Sequence, residues 1–399
     1  MVYWLDMEPK FTHLHVHTHY SLLDGLSKIP DLMERVAELG MDSIAITDHG
    51  NMYGAIEFYK EAKKRNIKPI IGLECYVTAG DRHDRIPETE DKRYYHITLL
   101  AKNNIGYQNL IQISTKAHLE GFYYKPRADK ALLREHAEGI IALSGCLGGE
   151  VSSCITRGDM AGAKRAIAEY KDIFGEENFY LEVQPPDQKD QEVANTGLFQ
   201  LAEETNTPAV ATGDSHYLRT EDSDAHDVLL AVQTGNKVTD EKRLSLKHLN
   251  LSIKSTADMA EAFPGHPEVI ENTQKIAGKC SIDITLGQNQ LPHFDVPEGF
   301  TEASYLRKLC VEGMVARYGI NISGVSDFEN EVTPQIADLT PEQQKITERL
   351  DYELRVITSM GFAAYMLIVA DFVNWAKDQS IVVGPGRGWA AGSLVAYVL

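Results

Sequence analysis

The sequence is short of positive charge: 39 Lys and Arg stand against 58 Asp and Glu in 399 residues, a formal net charge of −19. That balance excludes a whole-chain electrostatic footprint for nucleic acid, because phosphate binding rests on clustered Lys and Arg. A nucleic-acid role would need a local positive patch, bound metal ions, or residues outside this sequence. No apolar run approaches the roughly 18–20 residues of a membrane span, and residues 1–10 are acidic with no apolar signal segment, so the expectation is a cytoplasmic protein without a membrane partner. Cysteine is scarce as well. The five, Cys75, Cys146, Cys154, Cys280 and Cys310, include no C-x-x-C pair, which argues against a disulfide framework or a zinc ribbon and leaves any thiol chemistry to single residues. A hydrophobic share of 43% and a charged share of 24% exclude disorder and coiled coil as the main architecture, and the length allows two or three domains.

Strand-like apolar runs at 11–17, 43–47, 69–77, 94–101, 139–143, 179–184 and 209–212 alternate with amphipathic patterns such as 29–39, 55–65 and 161–174. This alternation predicts parallel β-α units, and seven strands favour a barrel-like closure with functional residues just after strand C-termini. Gly287, Pro292, Pro297 and Gly299 break the periodicity, which sets an expected domain boundary between 8–285 and 286–399. Beyond it the pattern predicts a helix over 302–318, a polar loop over 319–343, a long apolar-faced helix broken near Gly361, and a short β run at 381–383 before Gly384-Pro385-Gly386-Arg387-Gly388.

The sharpest motif is Phe11-Thr-His-Leu-His-Val-His-Thr-His19. Period-2 alternation puts His13, His15, His17 and His19 on one face of a strand. One histidine there would be an ordinary core residue, but four imidazoles on one face cannot all be buried neutral without partners, so metal binding is the better reading. Other strand ends carry compatible groups: Asp48-His49-Gly50, Glu74, Ser144-Gly145-Cys146 and Asp214-Ser215-His216. Each alone has a bland explanation, such as a capping Asp48 or a core Cys146. Five strand ends of seven form a pattern that turn propensity does not produce. Imidazole, carboxylate and one thiolate suit Zn²⁺, Mn²⁺ or Fe²⁺ rather than Mg²⁺ or Ca²⁺.

These motifs, with His96-Ile-Thr-Leu-Leu, Tyr20-Ser-Leu-Leu-Asp-Gly and Gly121-Phe-Tyr-Tyr-Lys-Pro-Arg127, resemble the polymerase and histidinol phosphatase (PHP) domain, most closely the copy at the N-terminus of bacterial DNA polymerase III alpha subunits. The resemblance implies a distorted seven-stranded (β/α) barrel and a trinuclear divalent metal site, zinc first, on His15, His17, Asp24, His49, Glu74, His96, Cys146, Asp214 and His216. Asp24 and His96 come from the resemblance alone. His13 and His19 would then orient ligands or meet substrate phosphate, giving candidate catalytic support. Closely spaced metal ions suit phosphoester hydrolysis, and they would make a cleft locally positive in an acidic chain. Tyr123, Tyr124, Lys125 and Arg127 are candidate DNA contacts, with a solvated loop of packed tyrosines as the equal alternative.

The C-terminal stretch resembles the start of a polymerase palm, mostly helical and incomplete, whose Gly384, Gly386, Arg387, Gly388, Gly392 and Ser393 would lie near a nucleotide triphosphate. The sequence departs from the family at three places: Trp389 stands for the usual serine, Gln184-Pro185-Pro186 for a frequent histidine, and Gly213 for a common asparagine. The resemblance implies the N-terminal part of a replicative polymerase whose palm aspartates and Mg²⁺ ions belong to sequence absent here. Its partners would be DNA primer-template, a proofreading exonuclease and a sliding clamp, met through the full-length parent. Two readings of the PHP site stay open, a 3′–5′ phosphodiesterase and a structural docking module. A stand-alone phosphatase of small esters is the rival, and it would end near residue 280.

Overall fold

The computed structural model describes residues 10–85, 94–288, 290–322, 339–384 and 388–399. It comprises two compact units, Met1–Ile284 and Thr285–Leu399.

The strands of the first unit are β1 (Ser43–Ile46), β2 (Lys68–Val77), β3 (Tyr95–Ala101), β4 (Phe122–Tyr123), β5 (Lys125–Ala128), β6 (Ile140–Leu143), β7 (Phe179–Val183) and β8 (Ala209–Ala211), six of them from expected runs, while the run 11–17 forms only isolated bridges. They pair in the order β4-β5-β2-β3-β6-β7-β8, and the long β2 also takes β1 in parallel along residues 68–71. The expected all-parallel pattern fails at β3, which runs antiparallel to both β2 and β6. An apolar run carries no direction. Only a helical crossover forces parallel pairing, and no helix is described between β2 and β3. A small β4–β5 hairpin, not anticipated from the sequence, adds two strands.

The histidine-rich segment closes the ring. His13 bridges Ile44 of β1, Val16 bridges Ser215 just past β8, and the His17 N–H donates to the Ser215 carbonyl at 2.8 Å. The segment forms isolated bridges around a bend at His15 and a turn at His19, so the expected period-2 alternation does not hold along it. Leu14 belongs to the inner apolar cluster and Val16 to the outer one, yet His15 and His17 share contacts with the same acidic side chains. His13 and His19 fall out of that set.

Packing follows strand parity. Leu14, Ala45, Ile70, Leu100, Ile141, Tyr180 and Val210 form an inner cluster, joined by Ile276, Ala277 and Cys280 at and beyond the end of helix Pro267–Lys279. Their strand neighbours Ile44, Ile71, Leu99, Ala142, Leu181 and Ala211 face the outer cluster under the helices. By the same parity Glu74, Thr98 and Glu182 point inward, beyond Ile70, Leu100 and Tyr180, and make the barrel mouth polar.

In the second unit, helices Glu302–Tyr318, Pro341–Ser359, Ala363–Asp378 and Leu394–Val398 pack around Leu306, Cys310, Met314, Leu350, Leu354 and Leu367. The expected helix break is present: Gly361 has φ +76°, and the flanking helices bend by 112°. Residues 381–383 form no strand and are exposed, because a β-branched run needs a partner edge and none is described in this unit. Among the described residues no single helix is long and apolar enough to cross a membrane.

Candidate metal centre

Glu74 is the hub. It sits on β2, 1% exposed, with His15 Nε2 3.5 Å and His96 Nδ1 2.8 Å from Oε1, His17 Nε2 3.7 Å from Oε2, and His49 Nδ1 also in contact with Oε2. Cys146 Sγ lies 3.8 Å from Glu74 Oε1 and 3.6 Å from His96 Nδ1. On the other side Asp214 Oδ1 approaches His17 Nε2 at 3.2 Å and His15 Nε2 at 3.5 Å. Asp24 Oδ2 meets His49 Nε2 at 2.9 Å and His216 Nε2 at 3.7 Å. The structure therefore joins all nine residues expected to coordinate metal, including Asp24 and His96, in one continuous cluster. Three triads within it have donor atoms within 4.8 Å of one another: His17, His49 and His216; His15, His17 and Asp214; Glu74, His96 and Cys146.

Two local devices aim these groups. Asp214 adopts φ +45°, a left-handed conformation costly for a non-glycine residue. At the preceding Gly213 a Cβ would lie 2.9 Å from Ser215 Oγ and 3.2 Å from the His13 ring, so the turn is tight. Behind the histidines stand side chains that the sequence motifs do not mark. Glu182 of β7 receives the His15 Nδ1–H at 2.6 Å. Ser21 Oγ, which donates to Asp48 at 2.6 Å, lies 3.0 Å from His17 Nδ1. His226 Nε2 stands 3.4 Å from Asp24. A glutamate at an inward position of an otherwise apolar strand was the one available signal for Glu182.

The electrostatics are those of a site built for cations. Burial opposes charge on His49, but the Glu74 and Asp24 carboxylates outweigh it and raise its pKa to about 10. Burial likewise opposes charge on His15, and Glu182 and Asp214 raise it well above the ordinary value. Burial, with the neighbouring His49 and His216, lowers His17 to about 3. Burial opposes ionisation of Glu74, yet the surrounding histidines hold it well below the carboxylate range. Burial and the Asp214 and Glu74 carboxylates push the Cys146 thiol up, so a metal ligating there must displace its proton. The donor set fits a metal on a structural ground too. His15 Nε2, His17 Nε2, His49 Nδ1, Glu74 Oε2 and Asp214 Oδ1 are all buried and face one another across the cluster without a hydrogen bond of good geometry.

Other predicted site residues are placed differently. His13 is fully buried, its Nε2–H donating to the Lys254 carbonyl at 2.9 Å, and burial lowers its pKa to about 4. His19 packs on Tyr20 with ring centroids 4.2 Å apart. Neither is joined to the cluster. Arg127 is corrected as a DNA contact: it is 3% exposed, and its guanidinium donates to the carbonyls of Gly121, Arg82 and Asp84. Lys125 Nζ lies 5.4 Å from the centroid of the Tyr76 ring, which stacks 6.1 Å from His49, so this lysine borders the centre. Tyr123 packs on Tyr124, which is exposed. In the second unit Gly386 and Arg387 lie outside the described residues, as does the Trp389 side chain. Gly384 is exposed, Gly388 starts the short turn 388–392, and Gly392 has open space around it. Ser393 caps helix Leu394–Val398 and donates to Glu353 at 2.9 Å, and the same carboxylate accepts the Val395 N–H at 3.0 Å. Of the expected phosphate-binding residues, Ser393 is thus engaged by an internal carboxylate.

Comparison with known proteins agrees with the motifs. Residues 13–186 match the PHP domain, and residues 304–399 match the bacterial DNA polymerase III alpha NTPase domain. The chain is similar to DNA polymerase III subunit alpha of Borreliella burgdorferi (43% identity, covering 99% of this chain and 33% of the relative). It is likewise similar to those of Treponema pallidum (41%, 98% and 32%) and Thermus aquaticus (40%, 98% and 35%). It spans about a third of the length of these relatives. With both domain models matched and similarity running from end to end, the chain belongs to the DNA polymerase III alpha subunit family and carries that family's PHP domain.

Proposed function

We propose that the centre holds three divalent metal ions, zinc first with manganese or iron as alternatives, on the nine clustered residues, and that it hydrolyses phosphodiesters at a DNA 3′ end. The observation that carries this reading is the set of five buried, unpartnered donor atoms facing one another. Each such atom costs about 1–3 kcal/mol when left unsatisfied, so five together point to a ligand that satisfies them. Ions bound there would supply Lewis acidity and an activated water. The chain's own residues would do the rest. Lys125 at the rim meets a backbone phosphate, and the exposed Tyr124 ring offers a stacking surface for a terminal base.

In the longer parent we read DNA-templated DNA synthesis, with the Mg²⁺-binding aspartates supplied by the two thirds not represented here. Primer-template, a proofreading exonuclease and a sliding clamp would be its partners. The test is hydrolysis by the purified chain of a 3′-mismatched primer and of a small phosphomonoester, with and without chelator. Chelator-sensitive trimming of the primer that disappears in His49→Ala is the expected result. Metal uptake without turnover of either substrate would refute the hydrolytic role and leave a structural, docking one.

A further inference from the structure

Glu182 is one of the most completely engaged side chains in the first unit. It is 1% exposed on β7, and both oxygens are taken: Oε1 by His15 Nδ1–H at 2.6 Å, Thr212 Oγ–H at 2.6 Å and the Gln184 amide at 3.1 Å, and Oε2 by Thr98 Oγ–H at 3.0 Å. The carboxylate is thus held by four donors, and neither oxygen is among the unpartnered atoms that face the centre. Its neighbour shows the opposite condition. His15 Nε2 is buried, has no hydrogen-bond partner, and stands 3.5 Å from both Glu74 Oε1 and Asp214 Oδ1.

We infer that Glu182 is a positioning residue that fixes His15 as a metal ligand: it holds the Nδ1–H, and so leaves the Nε2 lone pair directed at the ion. The inference rests on the metal reading of the centre. A neutral imidazole has one N–H, and committing it on Nδ1 determines which nitrogen coordinates. Gln184 has a use in the same network, since its amide donates to Glu182. Asp48 does the equivalent for His17 one step removed. Ser21 Oγ–H is committed to Asp48, so its lone pair receives the His17 Nδ1–H, and His17 Nε2 is again the unpartnered atom.

The test compares the 399-residue wild type with Glu182→Gln, an isosteric change, by zinc competition against a chromophoric chelator and by ¹⁵N NMR of the zinc-loaded histidines. The expected result is zinc affinity lower by about 10–100-fold, together with loss of an exchange-protected His15 Nδ1 proton that the wild type shows. Should Glu182→Gln fail to fold, Thr212→Val removes one 2.6 Å support of the carboxylate and should weaken zinc several-fold. Wild-type affinity with an unchanged Nδ1 proton in the variant would overturn the inference alone. A wild-type chain that takes up no zinc would overturn the metal reading and this inference with it.

Discussion

Removing metal should reverse the pH dependence of the first unit's stability. In the metal-free protein His49 is raised to about 10 by Glu74 and Asp24 against the opposition of burial. In the unfolded chain it titrates near 6.5. The stabilisation from this charge is fully present below pH 6.5 and is lost as pH rises towards 10. At about 1.4 kcal/mol per pH unit the linkage amounts to ~5 kcal/mol. His15 and His216 are raised as well and act in the same direction. His17, lowered to about 3 by burial and its cationic neighbours, acts on the acid side, because below pH 6.5 the unfolded chain takes up a proton that the folded one refuses. The metal-free protein should therefore be most stable near pH 6.5. Bound metal demands proton-free imidazoles and a thiolate, so the loaded protein should gain stability with pH over the same alkaline range. Urea denaturation followed by circular dichroism, with EDTA from pH 6.5 to 10 and with excess zinc from pH 6.5 to 8.5, measures both slopes. A metal-free stability that stays flat or rises over this range would refute the reasoning, as would an alkaline loss that persists unchanged in His49→Gln.

Three further changes separate structural from functional roles. At Gly25 a Cβ would stand 2.0 Å from the Thr18 carbonyl, so Gly25→Ala should displace the loop carrying Asp24, cost about 1–3 kcal/mol and weaken metal binding, measured by thermal melts and chelator competition. Arg127→Ala should cost about 1–3 kcal/mol by leaving carbonyls of Gly121, Arg82 and Asp84 unmatched, with no change in the salt dependence of DNA binding; Lys125→Ala should leave stability within ~0.5 kcal/mol and reduce that salt slope.

Much of this was legible in the sequence, for reasons that can be traced. Six of the seven apolar runs became strands within a residue or two because each places one face against the inner cluster and the other under helices. The order of the ring was less visible. Nothing in residues 95–101 signals an antiparallel strand, since direction is set by the connection and not by the run. The histidine motif announced the centre, but strict alternation failed at the His15 bend. His15 and His17 therefore point into the cluster, while His13 turns to the Lys254 carbonyl. His49, Glu74, Cys146, Asp214 and His216 were found because strand ends converge at one barrel mouth. Asp24 lies in a loop and His96 near a strand start, where only family likeness pointed to them. Arg127 misled because a basic residue beside tyrosines looks the same in sequence whether its donors meet phosphate or backbone carbonyls. Glu182 went unseen because one charged residue in a short strand is easily taken as solvent-facing, whereas every residue of β7 is buried.

Whether the clustered side chains bind metal is decided by anomalous X-ray scattering at the zinc edge from crystals of the zinc-loaded chain. Three peaks are expected among His15, His17, Asp24, His49, Glu74, His96, Cys146, Asp214 and His216, with nitrogen and oxygen donors about 2.0–2.2 Å and sulfur about 2.3 Å away. Crystals with no anomalous peak in this cluster, grown from protein with intact His49–Glu74 and His17–Asp214 contacts, would contradict it.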